Sequence, residues 1–267
     1  MTLKTGLATA LVAAVVAAIV SAATMVVTWR AAPGAIDAPS AALDEKQVVE
    51  IVRDYLTENP EILVEMTTEL DKRQQEEEAS QQEKAISENA DALFRSPHAF
   101  AAGNPDGDVT VVEFFDYNCG FCRRAMPDVV KLVDNDDKVK LVFKELPIFG
   151  EESEQAAKGA LAAHLQGKYF EMHQKLFTEP GKANKAKVLR IANEIGLDVP
   201  KLEADMEGAS VQEALDEARD LAQKLGLQGT PLYLIGDRII PGAPDDLYDQ
   251  LVENVGVIRE KGCAATC

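Results

Sequence analysis

Cationic side chains are scarce in this chain, and their scarcity excludes some partners. The 267 residues include 27 Lys and Arg against 45 Asp and Glu, so the net charge is −18. Such an acidic protein is repelled by nucleic acid and by anionic membrane surfaces, and neither is expected as a partner. The ordinary consequence of this charge is solubility.

Histidine and cysteine, the usual metal ligands besides carboxylates, are also few, with three and four residues. The histidines are scattered along the chain, at His98, His164 and His173. We interpret each of them as a packed or capping residue. One cysteine pair has the C-x-x-C spacing, Cys119 and Cys122, and zinc would need a second pair or histidines beside it. No resident metal and no cofactor are therefore predicted.

An uncharged segment covers residues 6–29, between Lys4 and Arg30. Its length suffices for a bilayer span, although it also contains a small-residue site typical of a cleaved signal peptide. Residues 1–30 are therefore predicted to be a membrane anchor or a secretory signal. Either interpretation exports the rest of the chain to an oxidising compartment, where dithiol chemistry is meaningful, and an anchor at residues 6–29 would tether it to the inner membrane.

A linker of small residues and proline, 31–43, leads to a helical stalk predicted over residues 44–95. Asp44 and Gln47 form a capping-box pattern, and Asn59-Pro60 separates two amphipathic helices. The polar stretch 71–84 indicates a solvated helix, after which apolar positions resume. Such a thin element cannot bury its own apolar faces, which favours self-association. The alternative is a hairpin that folds back on the main domain.

The main domain is predicted over residues 96–260, followed by a short tail, 261–267. Its pattern is strand, helix, strand, a helical insertion at 151–227, two further strands and a final helix. This order predicts an α/β fold around a small mixed sheet.

The C-x-x-C motif stands where a strand meets a helix. The apolar run 109–117 predicts a buried strand, and a helix is predicted to begin just after Cys119. The free backbone N–H groups and the dipole of a helix N-terminus stabilise a thiolate. Cys119 is therefore the predicted nucleophile, and Cys122 is the predicted resolving thiol. The intervening Gly120-Phe121 is expected to tune the pKa of Cys119.

Three further features fit dithiol chemistry better than a zinc site. Glu113 lies inside the apolar strand, where a carboxylate is costly unless it has a task or a partner. We expect it to act as the base for Cys122, with Lys144 as its charge partner. Pro127 is expected to kink the active-site helix. Thr230-Pro231 precedes a strand, and a cis bond there would expose the Thr230 backbone to an incoming peptide.

Together these residues resemble the DsbA-like family of thioredoxin-fold proteins. The match rests on the segment 114–123, which includes Cys119-Gly-Phe-Cys122, on the helical insertion and on Gly229-Thr230-Pro231. The resemblance implies periplasmic disulfide exchange with protein substrates and a membrane redox partner, and a cis peptide bond before Pro231. The preceding helices are similar to those of the ScsC-type subgroup (suppressor of copper sensitivity), whose members can oligomerise through this element.

Two directions of exchange fit the sequence. The stalk at 44–95 favours an oligomeric disulfide isomerase or reductase, and a monomeric disulfide oxidase is the alternative. A different class of function is Cu(I) binding by the two thiols of Cys119 and Cys122. The C-terminal cysteines, Cys263 and Cys267, are interpreted as a possible local disulfide, with a relay pair as the alternative.

Overall fold

This computed structural model describes residues 44–263. The predicted signal or anchor at 1–30, the linker at 31–43 and Cys267 lie outside that range. The chain divides into two compact units, one ending at Thr68 and one beginning at Glu69. Within the described range, no helix is both long enough and apolar enough to cross a membrane.

The N-terminal unit, residues 44–68 of the described chain, consists of one helix and the beginning of a second. Helix α1 (Glu45–Glu58) begins with the predicted capping box, in which Asp44 and Gln47 bond to each other's backbone N–H. Helix α2 (Glu61–Glu88) starts after Pro60 and continues into the second unit. The side chain of Asn59 donates to the Tyr55 carbonyl and so closes α1, which agrees with the predicted break between the two helices at Asn59-Pro60. No residue of α1 is buried.

The second unit, which we call the catalytic unit, is built on a five-stranded sheet with the order β1-β3-β2-β4-β5. The strands are β1 (Ala101–Gly103), β2 (Val109–Phe115), β3 (Val139–Glu145), β4 (Leu232–Ile235) and β5 (Arg238–Pro241). Strands β2 and β3 are parallel, and the other neighbours are antiparallel. The short edge strand β1 was missed, because three small residues carry no strand pattern.

Helices cover both faces of the sheet. The remaining helices are α3 (Ala90–Phe94), α4 (Gly120–Asn135), α5 (Glu151–His164), α6 (Tyr169–Thr178), α7 (Lys185–Glu194), α8 (Val199–Met206), α9 (Ala209–Lys224) and α10 (Leu247–Lys261). Helices α5 to α9 form the helical insertion between β3 and β4, as predicted. The mixed sheet with this insertion is a thioredoxin-like fold.

Two apolar clusters, one on each face, fill the space between the sheet and its helices. The larger contains both active-site cysteines together with Val111 and Phe115 of β2. The smaller contains Val112 and Phe114, the alternate side chains of the same strand. The end of α2 and all of α3 complete the smaller cluster through Ile86, Ala90, Leu93 and Phe94. These residues belong to the core of the catalytic unit, which therefore begins before the predicted boundary at residue 96.

Candidate active site

The two cysteines lie at the first turn of α4, just beyond the carboxyl end of β2. Cys119 is the N-cap residue, and the backbone N–H of Cys122 donates to its sulfur at 3.4 Å. Both thiols are free and buried. Phe121 between them is 57% exposed, so the motif presents an apolar ring to solvent. Pro127 lies inside the helix, as expected.

The two thiols have opposite acidities. The pKa of Cys119 is lowered to about 6, mainly because the Cys122 thiol donates a hydrogen bond to its thiolate, with help from backbone N–H groups. Burial raises the pKa of Cys122 far above its usual range. At neutral pH the Cys119 sulfur is therefore mainly a thiolate, whereas Cys122 holds its proton. Such a difference in acidity is what a nucleophile and a resolving thiol need.

Thr230 and Pro231 lie against the motif, although more than a hundred positions separate them in the chain. The peptide bond between them is cis, as the family resemblance implied. The Cys119 thiol donates to the Thr230 carbonyl at 3.2 Å. The exposed ring of Phe121 and the Thr230-Pro231 segment line the same surface groove. Cys119, the Thr230-Pro231 segment and an apolar wall therefore lie side by side at this surface.

Glu113 is a buried acid beneath the cysteines. It is 3% exposed and lies on the same sheet face as Cys119, and its Oε1 accepts from the Tyr233 hydroxyl at 3.2 Å. Burial raises the pKa of Glu113 to about 8, and the nearby Cys119 thiolate adds to the rise. A carboxyl that titrates near neutral pH can accept a proton from the resolving thiol.

The prediction that Lys144 pairs with Glu113 was wrong. Strand residues alternate between faces, and the register aligns Glu113 with Phe143, so Lys144 points to the opposite face. There Lys144 forms an ion pair with Glu217 and donates to the Ala92 carbonyl at 2.7 Å. Lys144 thus anchors α3 and α9, and Glu113 keeps its raised pKa.

Sequence reasoning missed Asp116, which braces the loop before the cysteines. One carboxylate oxygen accepts from Asn118 N at 2.7 Å and from the Ser153 hydroxyl at 2.8 Å. The other accepts from Ile148 N and Phe149 N at 2.8 and 3.1 Å. Asp116 thus joins the loops after β2 and β3 and the start of α5. The polar residues that follow β2, Asp116-Tyr117-Asn118, are the signal that could have indicated this role.

The sequence pattern also predicted no role for Glu145, which is a second buried acid. Its Oε1 accepts from Tyr117 and Tyr169 hydroxyls at 3.1 and 2.6 Å, and burial raises its pKa well above its usual range. His173 lies 3.1 Å from the Tyr117 hydroxyl, and burial lowers its pKa to about 3. His173 is therefore a neutral core residue, which agrees with its interpretation as a packed histidine.

Cys263 is engaged in a disulfide bond, which is compatible with the structural role predicted for the C-terminal pair. Its predicted partner, Cys267, is outside the described residues. No group of three or more His, Cys, Asp or Glu within residues 44–263 is arranged to hold a metal ion.

The fold and the paired thiols define a thioredoxin-fold protein with a dithiol centre. A family model for the DSBA-like thioredoxin domain matches residues 110–255, and the chain belongs to this family of thiol–disulfide oxidoreductases. A second model, for the N-terminal domain of the copper resistance protein ScsC, matches residues 44–77. The first match covers strands β2 to β5 except Val109, together with the active site and the insertion, and the second covers α1 and more than half of α2.

Known structures agree with this membership. A thioredoxin-like oxidoreductase from Silicibacter pomeroyi is 50% identical, with a TM-score of 0.62, and the match covers 64% of this chain and 98% of the other. Proteus mirabilis ScsC is 31% identical, with a TM-score of 0.61, and the match covers 82% and 99%. The Na(+)/H(+) antiporter NhaA 3 of Salinispora tropica is 32% identical over 141 residues, 51% of this chain. The chain spans about a fifth of that antiporter, the match covering 21% of its length.

Proposed function

We propose that this protein is a periplasmic thiol–disulfide oxidoreductase that works as an oligomeric disulfide isomerase on protein substrates. The observation that carries the exchange activity is the placement of two thiols of opposite acidity at one helix N-terminus, since it separates a ready nucleophile from a protonated resolving thiol. The Thr230 backbone beside Cys119 gives the substrate chain a place to bind.

The exchange begins when the Cys119 thiolate attacks one sulfur of a substrate disulfide. A sulfur–sulfur bond forms between Cys119 and the substrate, and the other substrate sulfur leaves as a thiolate. If that thiolate attacks elsewhere in the substrate, a different substrate thiol finally displaces Cys119. The substrate is then rearranged with no net change in oxidation state.

Reduction of the substrate follows if Cys122 acts first. Glu113 in its ionised form accepts the proton of Cys122, directly or through water, and the new thiolate attacks the sulfur of Cys119. The substrate leaves as a dithiol, and the protein keeps both oxidised sulfurs as the Cys119–Cys122 disulfide. Two electrons pass from protein to substrate, and a membrane redox partner is needed to return them.

The isomerase assignment depends on self-association through the N-terminal unit. Most of its large apolar side chains are exposed, with exposed fractions from 43% for Val48 to 67% for Val64. Exposed apolar area on this scale marks an interaction surface. The match of residues 44–77 to an ScsC N-terminal domain supports the same interpretation. Several active sites in one oligomer favour rearrangement of a substrate, whereas a monomer favours the alternative role, a disulfide oxidase.

Charge substitutions in α1 test this proposal on the full chain. Ile51→Glu combined with Val52→Glu introduces repulsion into the apolar stripe, and Gln75→Glu is the control, with the same residue type introduced at a polar, exposed position. We expect the double variant to be monomeric by light scattering and to lose refolding of scrambled ribonuclease, while it still oxidises reduced ribonuclease. If the wild-type protein is itself a monomer and refolds scrambled ribonuclease no better than the double variant, the result supports the oxidase role instead.

A further inference from the structure

The groove beside the active site has a wall that comes from outside the thioredoxin fold. Its volume is about 830 Å³, within the range of sites that bind sizeable ligands. Phe121 and Thr230-Pro231 form the end next to Cys119, and Leu227, Leu232 and Ile239 add apolar walls. Gln82, on α2, completes the lining. The helix that carries the N-terminal unit thus also shapes the site.

Gln82 is held in place at this wall. Its side-chain Nε2 donates to the Leu225 carbonyl, just beyond α9, at 3.2 Å. One turn further along α2, Ile86 is 1% exposed within the core of the catalytic unit. The Lys224 ammonium group donates to Asn89 Oδ1 at 3.2 Å and adds a second link to the same corner. The amide of Gln82 is therefore a fixed feature of the groove.

The occupant of the groove follows from its position and its lining. A substrate chain that is joined to Cys119 and runs past Phe121 and Thr230 places its neighbouring residues in the groove. The apolar walls favour the binding of apolar side chains. The fixed amide can form hydrogen bonds with an uncharged polar group or with a peptide bond. The best match is an extended, apolar, uncharged segment of an unfolded polypeptide.

We propose that Gln82 is a specificity-determining residue, through which helix α2 selects the polypeptide segment next to the reacting cysteine of the substrate. This inference rests on the proposed exchange activity at Cys119. It assigns to α2 a role in substrate choice besides its role in joining the two units of the chain. A low-molecular-weight disulfide, which does not extend along the groove, is indifferent to residue 82.

Gln82→Trp fills the groove, and Gln81→Trp is the matched control, because Gln81 is the adjacent residue of the same type and is exposed. Two substrates separate the effects: a peptide with an apolar segment beside a cysteine in a mixed disulfide with glutathione, and oxidised glutathione alone. For Gln82→Trp we expect KM for the peptide to rise about tenfold, as for a blocked specificity pocket. The reaction with oxidised glutathione should stay within twofold, and Gln81→Trp should match the wild type on both substrates.

Gln82→Ala guards against a folding defect, since it removes the amide without adding bulk. Circular dichroism checks that each variant is folded, and we expect Gln82→Ala to lose preference for the apolar peptide over a Gly/Ser-rich one. Equal losses on peptide and glutathione, or no loss on either, would overturn the role of Gln82. A wild-type protein that reacts with neither substrate would instead refute the proposed function itself.

Discussion

The two units of the chain use similar apolar patterns and bury them to opposite degrees. In the N-terminal unit Tyr55 is 58% exposed, and Leu63 and Met66 are equally open. In the catalytic unit Leu93 and Phe94, at the end of a similar helical pattern, are 0% and 1% exposed. Amphipathic spacing therefore indicates that a helix has an apolar face to bury. It does not indicate whether the partner that covers this face belongs to the same chain. Helix α2 carries both cases within 28 residues.

The largest expected difference between the units is in stability. Phe94→Ala removes a large buried ring, and such cavities cost about 3–5 kcal/mol of the free energy of unfolding. Tyr55→Ala, the matched change in the N-terminal unit, should leave the unfolding of the catalytic unit within about 0.5 kcal/mol. Urea denaturation followed by circular dichroism at low protein concentration measures both. Similar losses in the two variants would contradict the contrast.

The second largest expected difference is in the pH dependence of stability, because the catalytic unit buries acidic side chains. The pKa of Glu113 is raised from 4.5 to about 8, so above pH 4.5 the unfolded chain releases a proton that the folded chain retains. The contribution of Glu113 to the free energy of unfolding is therefore largest below pH 4.5, and it decreases as the pH rises to about 8. The loss at pH 7 is on the order of 3 kcal/mol.

Glu113→Gln should therefore stabilise the protein at pH 7 by about 3 kcal/mol and have little effect at pH 4. It should also slow the attack of Cys122, because the base is lost. Denaturation curves at the two pH values measure the first effect, and the lifetime of the mixed disulfide measures the second. Glu78→Gln, an exposed carboxylate on α2, is the control and should change neither. A Glu113→Gln variant of unchanged stability at pH 7 would argue against a neutral Glu113.

Thiol reactivity gives a third contrast, now within the catalytic unit. With its pKa near 6, Cys119 should react with iodoacetamide at a constant rate above pH 7 and about tenfold more slowly for each pH unit below 6. Cys122, whose pKa is raised by burial, should remain unmodified throughout. Mass spectrometry of the modified peptide distinguishes the two sites. Modification of Cys122 at neutral pH would contradict the assigned roles.

Much of the catalytic unit could be predicted because local rules and burial agree there. The four longer strands, the helical insertion and the position of Cys119 and Cys122 at a helix N-terminus follow from apolar runs and from the pattern of a strand that meets a helix. The Lys144 partner could not be predicted, since a shift of one residue in strand register moves a side chain to the other face. Glu145 and Gln82 gain their roles from contacts with distant segments, which no local pattern encodes.

The smallest expected effect concerns helix caps, and it compares the two units under matched conditions. Asp44 caps α1 by accepting from Gln47 N at 2.8 Å, and Asn184 caps α7 by accepting from Lys187 N at 3.0 Å. Substitution of either by Ala should cost about 1 kcal/mol. Because α7 is packed in the core, Asn184→Ala should lower the unfolding free energy of the whole catalytic unit by that amount.

Asp44→Ala should change only the local stability of α1. Amide hydrogen exchange in the first turns of α1 should accelerate about fivefold, which is the effect of 1 kcal/mol on a local opening equilibrium. The urea transition of the catalytic unit should not move, because α1 buries none of its side chains within its own chain. If that transition moves as much as it does in Asn184→Ala, α1 contributes to the cooperative core, and the distinction between the two units fails.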